Sequence, residues 1–276
     1  MAFNFKKKFG QNFLRDKNLL AAIVSDAKIT EEDEVLEIGA GEGSLTEAIA
    51  SKAKKVVSYE IDKELEKHLI EKFPSMEGCP ESPAGSEKGG VVLFRFKDAL
   101  KTNISEIEKD FTGKYKLVAN LPYYITTPLI FKFLEETDRL LSLTIMVQKE
   151  VAERIVATPK DDGYGILSVM MAFYGKAKIT RIVKRNMFHP MPDVDSAIIN
   201  LEVGKHEGVD KLKFSKFVRS AFAMKRKTLV NNLSQAYGIG KDVVKEKLVK
   251  AGLGENARAE DLTVDKFIKL FKNWQV

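Results

Sequence analysis

The chain has 276 residues, 44% hydrophobic and 30% charged, with a net charge of +6. That is enough apolar material to bury a core without staples, in one large or two modest domains. No apolar run reaches membrane-span length, residues 1–8 lack the apolar stretch of a secretory signal, the single cysteine (Cys79) excludes an intrachain disulfide, and three scattered histidines (His68, His189, His206) make no metal cluster, so the expectation is a cytoplasmic protein with no membrane or metal partner.

In chain order, Leu19, Leu20, Ile23 and Val24 space an amphipathic helix over 18–27. A short strand at 35–38 runs into Gly39, Gly41 and Gly43. A helix over 44–53 follows, with Ser44 and Glu47 at capping-box spacing. A second strand, 55–59, closes on Glu60 and Ile61, and 63–73 is helical. Residues 74–90 are rich in Gly, Pro, Ser and Glu and read as an exposed loop. A strand at 91–96 precedes Asp98 and Ala99, and another at 117–119 precedes Asn120. Helices at 128–136 and 149–157 flank a strand at 143–147. Segments 168–172 and 179–183 read as extended, and 197–203 as a last alternating strand. This alternation indicates a doubly wound α/β sheet. Past Gly204 the pattern changes to helices at 214–223, 225–237, 242–251 and 264–273, so the chain divides into 1–204 and a small all-helical domain, 205–276. From Lys205 onward there are 16 basic and 8 acidic residues, against 29 and 31 before it. The helical part therefore suits a polyanion such as RNA or DNA, although a solvated Lys-rich surface reads the same way.

Four segments at strand ends carry the chemistry. Glycines at 39, 41 and 43 let the backbone approach a ligand at a helix N-terminus. The spacing lacks the third glycine of the dinucleotide pattern G-x-G-x-x-G. Glu60 ends the next strand, 21 residues after Gly39, where a carboxylate can hold both hydroxyls of a ribose; Asp98 can accept from an adenine amine. Each acid taken singly is also an ordinary helix-capping residue. Together the set suits an adenosyl ligand with no pyrophosphate, and S-adenosylmethionine fits better than NAD because Asn120, Leu121, Pro122 and Tyr123 offer a methyl-acceptor site. The Asn amide oxygen and a Pro-fixed backbone carbonyl can accept the two protons of an exocyclic amine, and the Tyr ring can stack on its base.

These residues resemble the small-subunit ribosomal RNA adenine dimethyltransferases, the KsgA (RsmA) family, through most of the chain. FGQNFL at 9–14 is similar to the family's N-terminal motif, which implies that Asn12 and Leu14 touch the cofactor. The resemblance further implies cofactor contacts at Gly39, Gly41, Glu60, Ile61, Asp98, Ala99 and Asn120, and methyl transfer at Asn120–Tyr123, with Ile125, Thr126 and Pro128 continuing that signature. QKE at 148–150 and Arg154 also match. FHPMPDVDS at 188–196 resembles the family's F-x-P-x-P-x-V-D-S, which implies that Phe188 faces the target base opposite Tyr123. AF at 221–222, KRKTL at 225–229 and NNL at 231–233 resemble the opening of the helical domain, implying RNA contacts at Arg154, Lys225, Arg226 and Lys227. The implied fold is a Rossmann-like class I methyltransferase sheet with a helical C-terminal domain. The implied activity is N6,N6-dimethylation of two adjacent adenosines near the 3′ end of 16S ribosomal RNA, on a small-subunit precursor, by a monomer. Two departures stand out: Lys97 replaces the usual Gly before Asp98, and the loop at 74–90, holding Cys79, is longer than the family's. A large-subunit methyltransferase of the erythromycin-resistance type, a non-catalytic RNA-binding assembly factor and an NAD oxidoreductase are the alternatives. Leu121 and the 188–196 run argue against the first, intact Asn120–Tyr123 and Glu60 against the second, and the missing third glycine against the last.

Overall fold

The computed structural model describes residues 13–74, 90–204 and 208–274. They fall into two compact units. One runs to Ala152 and resumes over Lys178–Val203; the other comprises Glu153–Ala177 and the chain from Gly204 onward.

The first unit begins with β1 (Phe13–Leu14) and α1 (Lys17–Asp26). Asp16 caps α1 by accepting from the Leu19 N–H at 2.8 Å, and the helix turns Leu20, Ile23 and Val24 inward. Then come β2 (Glu34–Ile38), α2 (Ser44–Ala50), β3 (Lys55–Tyr59), α3 (Glu66–Lys72), β4 (Val91–Arg95), α4 (Ile104–Ile107), β5 (Tyr115–Asn120), α5 (Tyr123–Glu136) and β6 (Leu140–Gln148). Helix α6 (Lys149–Val156) leads out of the unit. After α7 (Ile166–Tyr174), strand β7 (Gly175–Val183) returns, and β8 (Phe188–His189) and β9 (Ser196–Val203) complete it. The sheet order is β4-β3-β2-β5-β6-β9-β7. Strands β4 through β6 pair in parallel and β9 runs antiparallel to β6. The chain reverses between the adjacent strands β2 and β5: β3 and β4 lie to one side and β6 to the other. That places a crevice outside their carboxyl ends, where open α/β sheets bind ligands.

Both faces of β2 and β5 are covered, so their middles are buried even though β2 carries Glu34 and Glu37. Val35, Leu36, Leu117 and Val118 are fully enclosed, each worth roughly 1.5–3 kcal/mol of burial. A second, two-stranded sheet joins β1 to β8, pairing Leu14 with Phe188. Strands of two residues lack enough alternation to show in a sequence pattern.

In the second unit α7 packs with α8 (Lys211–Ala221) and α11 (Val264–Trp274), and α9 (Leu229–Tyr237) and α10 (Lys241–Lys250) complete it. Aromatic rings fill its centre: Phe173 stacks on Phe214 with centroids 4.3 Å apart, and Phe217 lies 5.4 Å from Trp274. The segment 168–172, expected as extended, is helical. ILSVMMAFY is apolar on every side, and periodicity cannot separate a buried strand from a buried helix in so short a run. Because that helix buries itself among α8 and α11, residues 153–177 group with the helices rather than with the sheet they follow in sequence. The helix expected over 225–237 starts later, at Leu229, since Thr228 takes the capping position.

Candidate active site

The crevice holds a cavity of about 230 Å³. One wall is built at the ends of β2, β3 and β4. Gly39 adopts φ +86°, and a Cβ added there would stand 3.3 Å from the Asn120 carbonyl oxygen, so only glycine lets the β2 turn lie this close to the β5 end. The Gly39 N–H donates to the Tyr59 carbonyl at 2.8 Å, which carries the parallel pairing into the turn. Gly43, at φ +77°, caps α2; a Cβ there would sit 2.8 Å from the Phe73 ring. The expected Ser44–Glu47 capping box is absent, because the left-handed Gly43 occupies the cap and offers no side chain. The third glycine thus serves helix packing.

Glu60 is 3% exposed. Its two carboxylate oxygens accept from the Gly41 N–H at 2.9 Å and the Asp62 N–H at 2.8 Å, so the side chain is fixed with its remaining lone pairs still available. Burial pushes its pKa up, and the two backbone donors oppose that shift. Behind it, Glu37 is fully enclosed. Its Oε2 accepts from the Thr46 and Ser58 hydroxyls, both at 2.6 Å, while Oε1 has no hydrogen-bond partner. Burial raises its pKa to about 7. Asp98, half-buried, accepts from the Leu100 N–H at 2.9 Å, and Ala99 is enclosed beside it. Lys97, where a glycine was expected, lines the cavity and pairs with Glu106 at 2.7 Å. At the rim the Arg15 guanidinium grips Glu42 with two hydrogen bonds, 2.6 and 3.1 Å.

The opposite wall is the end of β5 and the start of α5: Asn120, Leu121, Pro122, Tyr124 and Ile125. Pro122 is extended (φ −55°, ψ 133°) and the helix begins at the next residue. Its carbonyl accepts from the Ile125 N–H at 3.2 Å, which commits that group to the first helical turn.

Of the residues expected at the site, Leu14, Gly39, Gly41, Glu60, Ile61, Asp98, Ala99, Asn120, Leu121 and Pro122 line one cavity. Asn12 lies outside the described residues, as does the loop at 75–89 with Cys79. Tyr123 and Phe188 are not cavity walls. Tyr123 is half-buried with its hydroxyl 2.8 Å from Ser196 Oγ, and Phe188 is 5% exposed within the core cluster that includes Leu20, Ile23 and Ile198. Leu20, Ser44, Leu45, Leu100, Tyr124 and Leu129 also line the cavity; the sequence marked Leu20 and Ser44 only as helix residues, and which way each of the six faces is set by packing.

The four residues expected on RNA all belong to the helical unit and are exposed. Lys225, Arg226 and Lys227 occupy the turn between α8 and α9. The Asn232 amide pins that turn by donating to the Ala221 carbonyl at 2.7 Å and the Met224 carbonyl at 3.1 Å. Among the described residues there is no His, Cys, Asp and Glu grouping able to hold a metal, and no helix is long and apolar enough to cross a membrane.

The family model described as ribosomal RNA adenine dimethylase matches residues 2–275. Ribosomal RNA small subunit methyltransferase A of Caldanaerobacter subterraneus subsp. tengcongensis is 43% identical over 270 residues, covering 96% of this chain and 95% of that protein. Its counterpart in Fusobacterium nucleatum is 39% identical, covering 99% and 98%. Among solved structures, a dimethyladenosine transferase from Plasmodium falciparum superposes with TM-score 0.77 at 27% identity, covering 95% of this chain and 97% of that one. The 23S rRNA methyltransferase ErmE gives 0.68 at 28%, covering 96% and 100%. The chain belongs to the ribosomal RNA adenine dimethylase family.

Proposed function

We propose that this protein dimethylates N6 of two neighbouring adenosines near the 3′ end of small-subunit ribosomal RNA, acting as a cytoplasmic monomer on a precursor of the small subunit. It is an rRNA adenine dimethyltransferase, and its cofactor is S-adenosylmethionine. The cavity fits that cofactor. Its wall carries a buried carboxylate at Glu60, a half-buried one at Asp98, and a backbone cradle at Gly39 that any Cβ would fill. In this reading Glu60 accepts the ribose hydroxyls, Asp98 the adenine amine, and Leu14, Gly41, Ile61 and Ala99 enclose the ligand.

S-adenosylmethionine supplies an electrophilic methyl group on a good leaving group, so the chain has to position the acceptor rather than activate it. The lone pair of an adenine amine is delocalised into the ring. The Asn120 side-chain oxygen and one backbone carbonyl accept its two N–H bonds and hold the lone pair toward the methyl group. The Pro122 carbonyl already serves the α5 turn, so the Leu121 carbonyl is the second acceptor. Tyr123 provides the face on which the base stacks, while Phe188, enclosed in the core, is assigned no contact with it. The proton leaves once nitrogen has become cationic, which requires no dedicated side-chain base. Reaching this pocket requires the target base to leave its stack. Arg154, Lys225, Arg226 and Lys227 would hold RNA phosphates, a salt-dependent contribution.

The observation that carries this reading is the single cavity bounded on one side by Gly39 and Glu60 and on the other by Asn120, Leu121 and Pro122. Against the large-subunit alternative stand the relatives at about 40% identity, named for the small subunit. The test is to incubate the protein with labelled S-adenosylmethionine and either immature small subunits or large-subunit RNA, and to map the methyl groups. Label on adjacent small-subunit adenosines is expected; label confined to large-subunit RNA would overturn the assignment.

A further inference from the structure

We propose that Ser196 is a positioning residue for methyl transfer: through the hydroxyl of Tyr123 it holds in place the ring on which the target adenine stacks. The proposal rests on the stacking role given to Tyr123 above.

Tyr123 opens α5 and Ser196 opens β9, 73 residues later, yet their hydroxyl oxygens lie 2.8 Å apart. A tyrosine ring has two rotatable bonds, and the hydroxyl oxygen lies on the axis of the second. An anchor there fixes the first, and with it where the ring stands, and biases the plane only through the in-plane preference of the phenol O–H. The ring is otherwise only half-buried, so the hydroxyl tie is what holds its polar end at the start of α5.

The anchor is itself rigid. Ser196 is fully enclosed and pairs with Gln148 at the end of β6. The residue before it is clamped from three directions. The Asp195 carboxylate accepts from the Lys184 ammonium at 2.9 Å and from the Arg185 N–H at 3.0 Å, and its carbonyl accepts from the Lys149 N–H at 3.0 Å. A serine hydroxyl in a fully buried position needs a partner, since an unmet one costs about 1–3 kcal/mol; Tyr123 is that partner. Burial raises the Tyr123 pKa, so its hydroxyl stays protonated at neutral pH and can donate or accept in this pair. The arrangement is a relay of position: the clamp on Asp195 fixes Ser196, and Ser196 fixes the ring. The VDS end of the 188–196 run thus acts on the base through Tyr123, although none of its residues lines the cavity.

The test is a double-mutant cycle on the full-length protein with small-subunit particles as substrate. Ser196→Ala and Tyr123→Phe each remove one end of the tie. Each is expected to lower kcat about tenfold with little change in KM for RNA, and the double variant is expected to be no slower than either single one. S-adenosylmethionine affinity should stay near wild type in all three. Tyr123→Phe leaves the buried Ser196 hydroxyl unmet, so its thermal midpoint should fall by a few degrees and recover in the double variant. Additive losses, a Ser196→Ala variant at wild-type kcat, or kcat losses that track the thermal midpoint across the three variants would each overturn the proposal. Tyr123→Ala separates the layers. If it turns over at the wild-type rate, the stacking role fails and the proposal falls with it. If it is slow while the cycle is additive, only the tie to Ser196 is refuted.

Discussion

The two walls of the cavity are made of different material. The wall at β2, β3 and β4 is mostly backbone: a left-handed Gly39, a Gly41 N–H donating to Glu60, and a Glu60 carboxylate already held by two amides. The wall at β5 and α5 relies on side chains: an Asn, a Pro and Tyr124 at a helix onset, next to Tyr123, which lies outside the cavity and is tied to a distant serine. A backbone wall suits a ligand that is the same in every turnover, because its shape is fixed by strand pairing and changes little with temperature or mutation around it. A side-chain wall suits a base that must enter, be methylated twice and leave. The walls meet where the missing Cβ of Gly39 faces the Asn120 carbonyl, so the main chain that positions the amide also shapes the cofactor side.

If the walls are functionally separate, substitutions should separate turnover from cofactor binding. The largest effect is expected for Asn120→Ala. It removes one of two acceptors that orient the amine, and turnover should fall by about 10³-fold or more. Cofactor affinity, measured by calorimetry, should change by no more than a few-fold; comparable losses in both would mean that the walls do not divide the work. Glu60→Gln should behave in the opposite sense. It keeps one acceptor oxygen but gives up the charge, so S-adenosylmethionine affinity should drop about 100-fold while kcat at saturating cofactor stays within a few-fold. An unchanged dissociation constant would remove Glu60 from the ribose site.

The same contrast explains what the sequence showed. Residues on the backbone wall were legible because glycines, strand-end acids and chain order are local signals: Gly39, Gly41, Glu60 and Asp98 all reach one cavity. Asn120 was legible for the same reason, standing where β5 stops. What failed to show depends on packing between distant segments. Ser196 meets Tyr123 only because β9 is laid antiparallel beside β6, and Phe188 is enclosed because β8 pairs with β1. The α7 run was misread because no polar side marked its helical period, and Lys225–Lys227 were placed inside a helix because their charge resembled a solvated helical face. Thr228 and Asn232 instead hold them on a turn.

The smallest effect on activity, and the finest test of the backbone wall, concerns Glu37. Its carboxyl lies in the core one residue before the turn, with a pKa near 7 caused first by burial, against two hydroxyl donors that favour the charged form and a repulsion from Glu60 that disfavours it. A carboxyl in the unfolded chain loses its proton near pH 4.5. Between that value and about pH 7 the folded protein therefore holds a proton that the unfolded chain has released, and stability falls as pH rises through the window. Glu37→Gln cannot titrate, so its stability relative to wild type should rise by about 2 kcal/mol between pH 5.5 and pH 8, as read from urea unfolding midpoints. A difference that is flat with pH would mean that Glu37 is already ionised throughout. Repeating the comparison in the Glu60→Gln background should shrink the slope, because one of the causes raising the Glu37 pKa is then gone. If it does, the two acids share one electrostatic field, and neutralising either relieves the other without disturbing the wall that holds the base.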